Sequence, residues 1–105
     1  MGKFAKTLAE RLKTKAAYAK EREQPQKVMW MSFCAGNKPK GQQFLGVIIM
    51  RAPGLMHAIE RAWALGINPG GEVVTTLLAD ASSVKPEHFD KLLSMSELRT
   101  YGYIA

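Results

Sequence analysis

Along the chain, apolar residues recur first at every fourth position, then crowd into short runs, then return to helical spacing. Phe4, Leu8, Leu12 and Ala16, with Ala5 and Ala19 beside them, mark one narrow stripe through residues 3–23. That stretch has no Gly or Pro and is rich in Ala, Leu, Lys, Glu and Arg. It predicts an amphipathic helix, stopped by Pro25. Residues 28–34 and 44–50 are rich in Val, Ile, Phe and Trp and predict strands. In the first, Val28 and Trp30 share one face while Met29, Met31 and Phe33 share the other. In the second, Leu45, Val47 and Ile49 oppose Phe44, Ile48 and Met50. Strands apolar on both faces need cover on both. Residues 35–43 between them are turn formers throughout, so the two strands should form a long-looped hairpin.

Pro53 and Gly66 bound a helix over residues 53–65, with Leu55, Ile59, Ala62 and Trp63 as its buried stripe and His57, Glu60 and Arg61 outward. A turn at 68–71 leads into a third strand over 72–79. Pro86 opens a short helix that runs to Leu93, and Ser94-x-x-Glu97 has capping-box spacing for another turn or two, ended near Gly102. The order is α-β-β-α-β-α-α. The strand–helix–strand unit predicts a right-handed crossover with the second and third strands parallel. The expected fold class is therefore α+β: a small mixed three-stranded sheet, hairpin plus β-α-β crossover, with a basic N-terminal helix (1–24) attached to a single domain (25–105).

Composition adds compartment and charge. The 105 residues are 47% apolar and 23% charged, a globular balance. Cys34 is the lone cysteine, which excludes an internal disulfide and fits a reducing compartment. No apolar run approaches the roughly 20 residues a membrane helix needs, and no secretory pattern is visible, so a cytoplasmic protein without membrane contact is expected. The formal charge of +6 is lopsided. Residues 1–27 hold eight Lys or Arg against three Glu, and the remaining seven bases are nearly matched by six acids. The basicity belongs to the N-terminal helix.

The run Phe44-Leu-Gly-Val, then Ala52-Pro-Gly, then Leu65-Gly-Ile-Asn-Pro-Gly-Gly-Glu-Val73, followed by Leu92-Leu-Ser and Glu97-Leu98, resembles a group of short uncharacterised proteins from bacteria and their phages. The resemblance covers roughly residues 44–98 and brings no activity with it, so it assigns no functional residue.

The chemistry-bearing residues are few. His57 and His88 sit on different predicted helices, and no His-x-x-x-His, Cys-x-x-Cys or Gly-x-Ser-x-Gly is present, so the sequence asks for no metal, no cofactor and no catalytic residue. Cys34 ends an apolar strand and reads as a small core residue. Two loop clusters remain as ligand sites. Loops 35–43 and 68–71 should meet at one pole, where Lys38 and Lys40 face Asn68 and the backbone N–H groups of Gly70 and Gly71, a nest for an anion. The opposite pole gathers Arg51, the helix start at Pro53 and Gly54, His57 and residues 80–83. A positive side chain beside a helix N-terminus suits phosphate or carboxylate there.

These features suggest a non-catalytic binding protein for an anionic small molecule such as a nucleotide, with a phage or bacterial accessory role. Two alternatives come from other classes. One is nucleic-acid binding through Lys6, Lys13 and Lys20 on the basic helix. The other is a protein-interaction or inhibitor module. A homodimer is also expected, because the one well-formed amphipathic helix cannot cover both apolar faces of the hairpin.

Overall fold

The computed structural model describes residues 8–105, with side chains from residue 14 onward. Helix α1 (Leu8–Arg22) leads through Pro25 into β1 (Lys27–Cys34) and β2 (Phe44–Ala52), followed by α2 (Leu55–Ala64), β3 (Glu72–Leu78), β4 (Leu92–Leu93) and α3 (Met95–Thr100). Two short 3-10 turns, Ala81–Ser83 and Pro86–His88, lie between β3 and β4. The chain is thus an α+β fold with an N-terminal helix, as its pattern predicts. Strands β1, β2 and β3 fall within two residues of their expected ends.

The sheet order is β3-β1-β2-β4, and all neighbouring strands run antiparallel. This corrects the expected mixed three-stranded sheet. Strands β2 and β3 do point the same way, but β1 lies between them. The hairpin uses only one edge of β1, so the crossover through α2 lays β3 on its other edge, where the free backbone groups of β1 find partners. The fourth strand comes from a segment predicted as helix: residues 86–93 make a 3-10 turn and the two residues of β4. A parallel bridge between Ile49 and Phe89 extends the same side of β2.

A bulge interrupts β2. The register passes from Phe33 opposite Gly46 to Cys34 opposite Phe44, which leaves Leu45 as the extra residue. Gly46 holds φ at 135°, and a Cβ there would lie 2.6 Å from Leu92 Cδ1. The bulge inverts the alternation read from sequence at its start: Leu45 packs with Ile48 and Met50, while Phe44 joins Val47 and Ile49.

Both faces of β1 and β2 are buried, each by a different cover. On one face Met29, Met31, Phe33, Ile48 and Met50 pack under Ala58 and Ala62 of α2. The helix therefore turns Leu55, Ala58 and Ala62 to the sheet. Trp63, expected in the buried stripe, is 60% exposed. On the other face Val28, Val47 and Ile49 pack under Val84, Leu93 and Leu98. Residues 81–104 thus cover the face that was expected to need a second subunit, and that reason for a dimer falls away.

The C-terminal cover is pinned by its own contacts. Ser94 Oγ accepts from Glu97 N and Glu97 Oε1 accepts from Ser94 N, the predicted capping box. His88 is buried, stacks on Tyr101 at 4.0 Å and hydrogen-bonds the Tyr103 hydroxyl, which also accepts from Lys85 N. Tyr103 meets Trp30 edge-on at 6.2 Å. Leu98, 1% exposed, anchors this layer. Leu98→Ala should lower unfolding stability by about 2–4 kcal/mol in urea titration. An unchanged midpoint would show that this segment is not part of the cooperative core.

Candidate functional site

The N-terminus of α2 is one of the two places where an external anion was expected, and it is already occupied by a carboxylate of the chain. Gly54, at the N-cap position, has no side chain to satisfy the first-turn amides. Glu21 of α1 does so instead: Oε1 accepts from His57 N at 2.7 Å and Oε2 from Met56 N at 3.3 Å. A Cβ on Gly54 would lie 2.2 Å from the Glu21 carboxyl carbon, so the missing cap and the incoming carboxylate are one arrangement. The helix dipole adds to the attraction.

His57 completes this contact. Its Nδ1 lies 2.6 Å from Glu21 Oε1, and its ring stacks on Tyr18 at 3.8 Å. An ionised carboxylate can only accept, so Nδ1 carries the hydrogen. Nε2 is then an acceptor in the neutral ring. It is buried and has no hydrogen-bond partner among the described residues. Burial pushes the Glu21 pKa up, but the hydrogen bonds from His57 and Met56 outweigh it and hold the carboxyl below its ordinary range. Outward on α2 for His57 therefore means under α1. The two helices run antiparallel, with Glu21 at the first turn of α2 and Thr14 lining a groove with Ile59 and Trp63 further along.

Beside this clasp a cleft of about 290 Å³ opens at the carboxyl end of β2, lined by Tyr18, Gln26, Arg51, His57, Glu60 and Arg61 among others. It continues into a second hollow of about 250 Å³ walled by Arg51, Arg61, Phe89 and Asp90. Arg51 is exposed, and its guanidinium carbon sits 4.2 Å above the Phe89 ring centroid. The stacking orients the guanidinium without neutralising it. Among the described residues no carboxylate pairs with Arg51, whereas Arg61 is bridged to Asp90 at 3.1 Å. Asp90 holds φ at 60°, unusual for a residue with a side chain, and its N–H donates to Ile49 O at 2.9 Å. That turn fixes both Phe89 and the acid that restrains Arg61.

The other pole is less suited to an anion than its sequence suggests. Cys34 pairs with both Phe44 and Glu72, so loops 35–43 and 68–71 do leave from the same end of β1. Lys38 and Lys40 are exposed there. However, Gly70 N donates to Asn68 Oδ1 at 2.8 Å, so one of the two amides of the expected nest is spent inside the loop. Gly71 is present for close approach: a Cβ would lie 2.4 Å from Cys34 O. Asn68, Gly70 and Gly71 form a strand-entry turn.

The structure thus places Arg51 and His57 in one cleft and keeps Lys38, Lys40, Asn68, Gly70 and Gly71 at the opposite end of the sheet. Lys20 is exposed on α1. The side chains of Lys6 and Lys13, and those of Phe4, Leu8 and Leu12 in the predicted stripe, lie outside the described residues. In the described half of α1, Ala16 is exposed and the contact is made by Tyr18 and Glu21. Sequence reasoning missed Tyr18, Glu21, Gln26, Arg61, Phe89 and Asp90. The available signal was Gly54 in an N-cap position, a hint that the cap comes from elsewhere.

Among the described residues no three His, Cys, Asp or Glu side chains gather as a metal site requires, and no helix is long and apolar enough to cross a membrane. No protein-family model matches the chain, and neither a curated protein nor a solved structure matches it. Fold and site therefore define the class, a small α+β domain with an arginine-lined cleft.

The clasp has a pH signature. Because the folded-state pKa of Glu21 is depressed, its contribution is full above the ordinary Glu value of about 4.3 and is lost as pH falls through the lower folded value. Glu21→Gln should lower stability by roughly 1–2 kcal/mol at pH 7. Thermal unfolding of both proteins from pH 7 to pH 3 should show the wild-type advantage shrinking at the acid end. An advantage independent of pH would mean the carboxylate charge is not what seats α1.

Proposed function

We propose that this protein is a non-catalytic binding domain for a small anionic molecule of nucleotide type, held in the cleft at the carboxyl end of β2. The observation that carries the reading is Arg51: exposed, with its guanidinium carbon 4.2 Å from the Phe89 ring centroid, and without a carboxylate partner among the described residues. An oriented guanidinium matches the paired oxygens of phosphate or carboxylate. Arg61 adds a second cation that could exchange Asp90 for the ligand, and Tyr18 and Gln26 supply an aromatic and an amide contact at the other wall. The cleft volume is near the lower end for small-molecule sites. The reading is of binding rather than catalysis because the feature that carries it, a guanidinium unpaired among the described residues, recognises an oxyanion without itself supplying a nucleophile or a base. The resemblance to short bacterial and phage proteins fits an accessory role such as sequestering a nucleotide.

The second reading, nucleic-acid binding, draws on Lys15, Lys20 and Arg22, which the described half of α1 leaves exposed to solvent. Its footprint would be phosphate contact without base readout.

Calorimetric titration with AMP and ATP separates the two. Micromolar binding of a mononucleotide, weakened at least tenfold by Arg51→Ala and little changed by Lys20→Ala, is the expected outcome. Retention of a single-stranded oligonucleotide that depends on Lys20 and falls steeply with salt, with no mononucleotide binding, would contradict it.

A further inference from the structure

Strand β3 ends the sheet with a bare edge. Among the described residues nothing pairs with its outer side, and its seven residues contain no Lys, Arg or Pro. Natural edge strands are blunted by shortness, charge, proline or a bulge. The opposite edge is blunted, since β4 has two residues. Strand β3 is not. Val74 is 66% exposed and Leu77 56%. They point to opposite sides of the sheet, Val74 lying opposite Ser32 and Leu77 opposite Met29 in the ladder. A helix or loop laid on one face would cover one of them and leave the other. A strand added alongside flanks both.

The strand is also complementary to itself. We propose that β3 pairs antiparallel with β3 of a second copy about a two-fold axis at Thr75, joining two four-stranded sheets into one. Thr75 is the midpoint of Glu72–Leu78, so this register alone overlaps all seven residues. Val73 then faces the partner's Leu77, Val74 faces the partner's Thr76, and Glu72 faces the partner's Leu78. No like charges oppose one another. On the axis Thr75 meets the partner's Thr75. Its Oγ1 is buried and has no hydrogen-bond partner among the described residues, and a χ1 rotation lets the two hydroxyls bond across the strands. Such a contact is isologous and closes at two copies. The orphan hydroxyl on the axis and the full overlap favour a second copy over a foreign strand.

Sedimentation velocity from micromolar to submillimolar concentration should give twice the 11.6 kDa chain mass. Val74→Lys combined with Leu77→Lys should weaken association at least tenfold and leave the far-ultraviolet circular dichroism unchanged. A second readout does not depend on that variant. In a Cys34→Ser background, Thr75→Cys should form a covalent dimer on mild oxidation, and Thr76→Cys should not, because Thr76 faces the partner's Val74. A mass of 11.6 kDa throughout, a dimer that survives the double lysine variant, or cross-linking at 76 in preference to 75 would each overturn the proposal. So would a monomer that captures an added extended peptide along β3.

Discussion

Met31, Ile48, Ile49 and Met50 are fully buried although they point to opposite sides of the same two strands, so water must be excluded from both faces of β1 and β2. Each such side chain contributes about 1.5–3 kcal/mol when buried. The chain meets this demand with two unlike covers. A regular helix closes one face, and an irregular C-terminal segment, held by the His88, Tyr101 and Tyr103 ring cluster and the Ser94 capping box, closes the other. The cleft exists where these covers approach each other around the edge of β2: Arg61 comes from the helix, and Phe89 and Asp90 come from the C-terminal segment. A site built across two covers is only as ordered as the packing beneath them.

Electrostatics then decides which cation remains available. The α2 N-terminus would attract an anion on its own, but Glu21 satisfies it internally and ties α1 to the domain through Tyr18 and His57. Arg61 is restrained by Asp90. Arg51 is left with an aromatic ring beneath it and no matching acid among the described residues. Neutral stacking preserves the charge, and under the proposed function this is the arginine that meets the oxyanion.

Much of the fold was legible because strand and helix periods differ and Pro25, Pro53 and Gly66 punctuate them. The faces of β1, the parallel sense of β2 and β3, and the capping box at Ser94 followed directly. Other features turned on partners distant in sequence. Gly46 marks a bulge only once Leu92 is seen against it. Residues 86–93 look helical through Pro86, yet Leu92 and Leu93 gain more by completing the edge of β2. Trp63 suggests core, but small Ala58 and Ala62 let α2 sit close to the sheet and turn the indole outward. At the site, Arg51 was recognisable as a cation at a helix start. Glu21 was not, because a carboxylate more than thirty residues away leaves no local signature. At the glycine turn, Asn68 takes the Gly70 amide, a side-chain contact that spacing alone does not announce.

The most direct test is a nitrogen-15 correlation titration of the full chain with a mononucleotide. Perturbed amides should cluster at Gln26, Arg51, Arg61, Phe89 and Asp90. They should leave the Met56 and His57 amides in place, because Glu21 keeps its seat. Shifts confined to residues 36–42 and 68–71, or running along the exposed side of α1 through Lys15 and Lys20, would contradict the account.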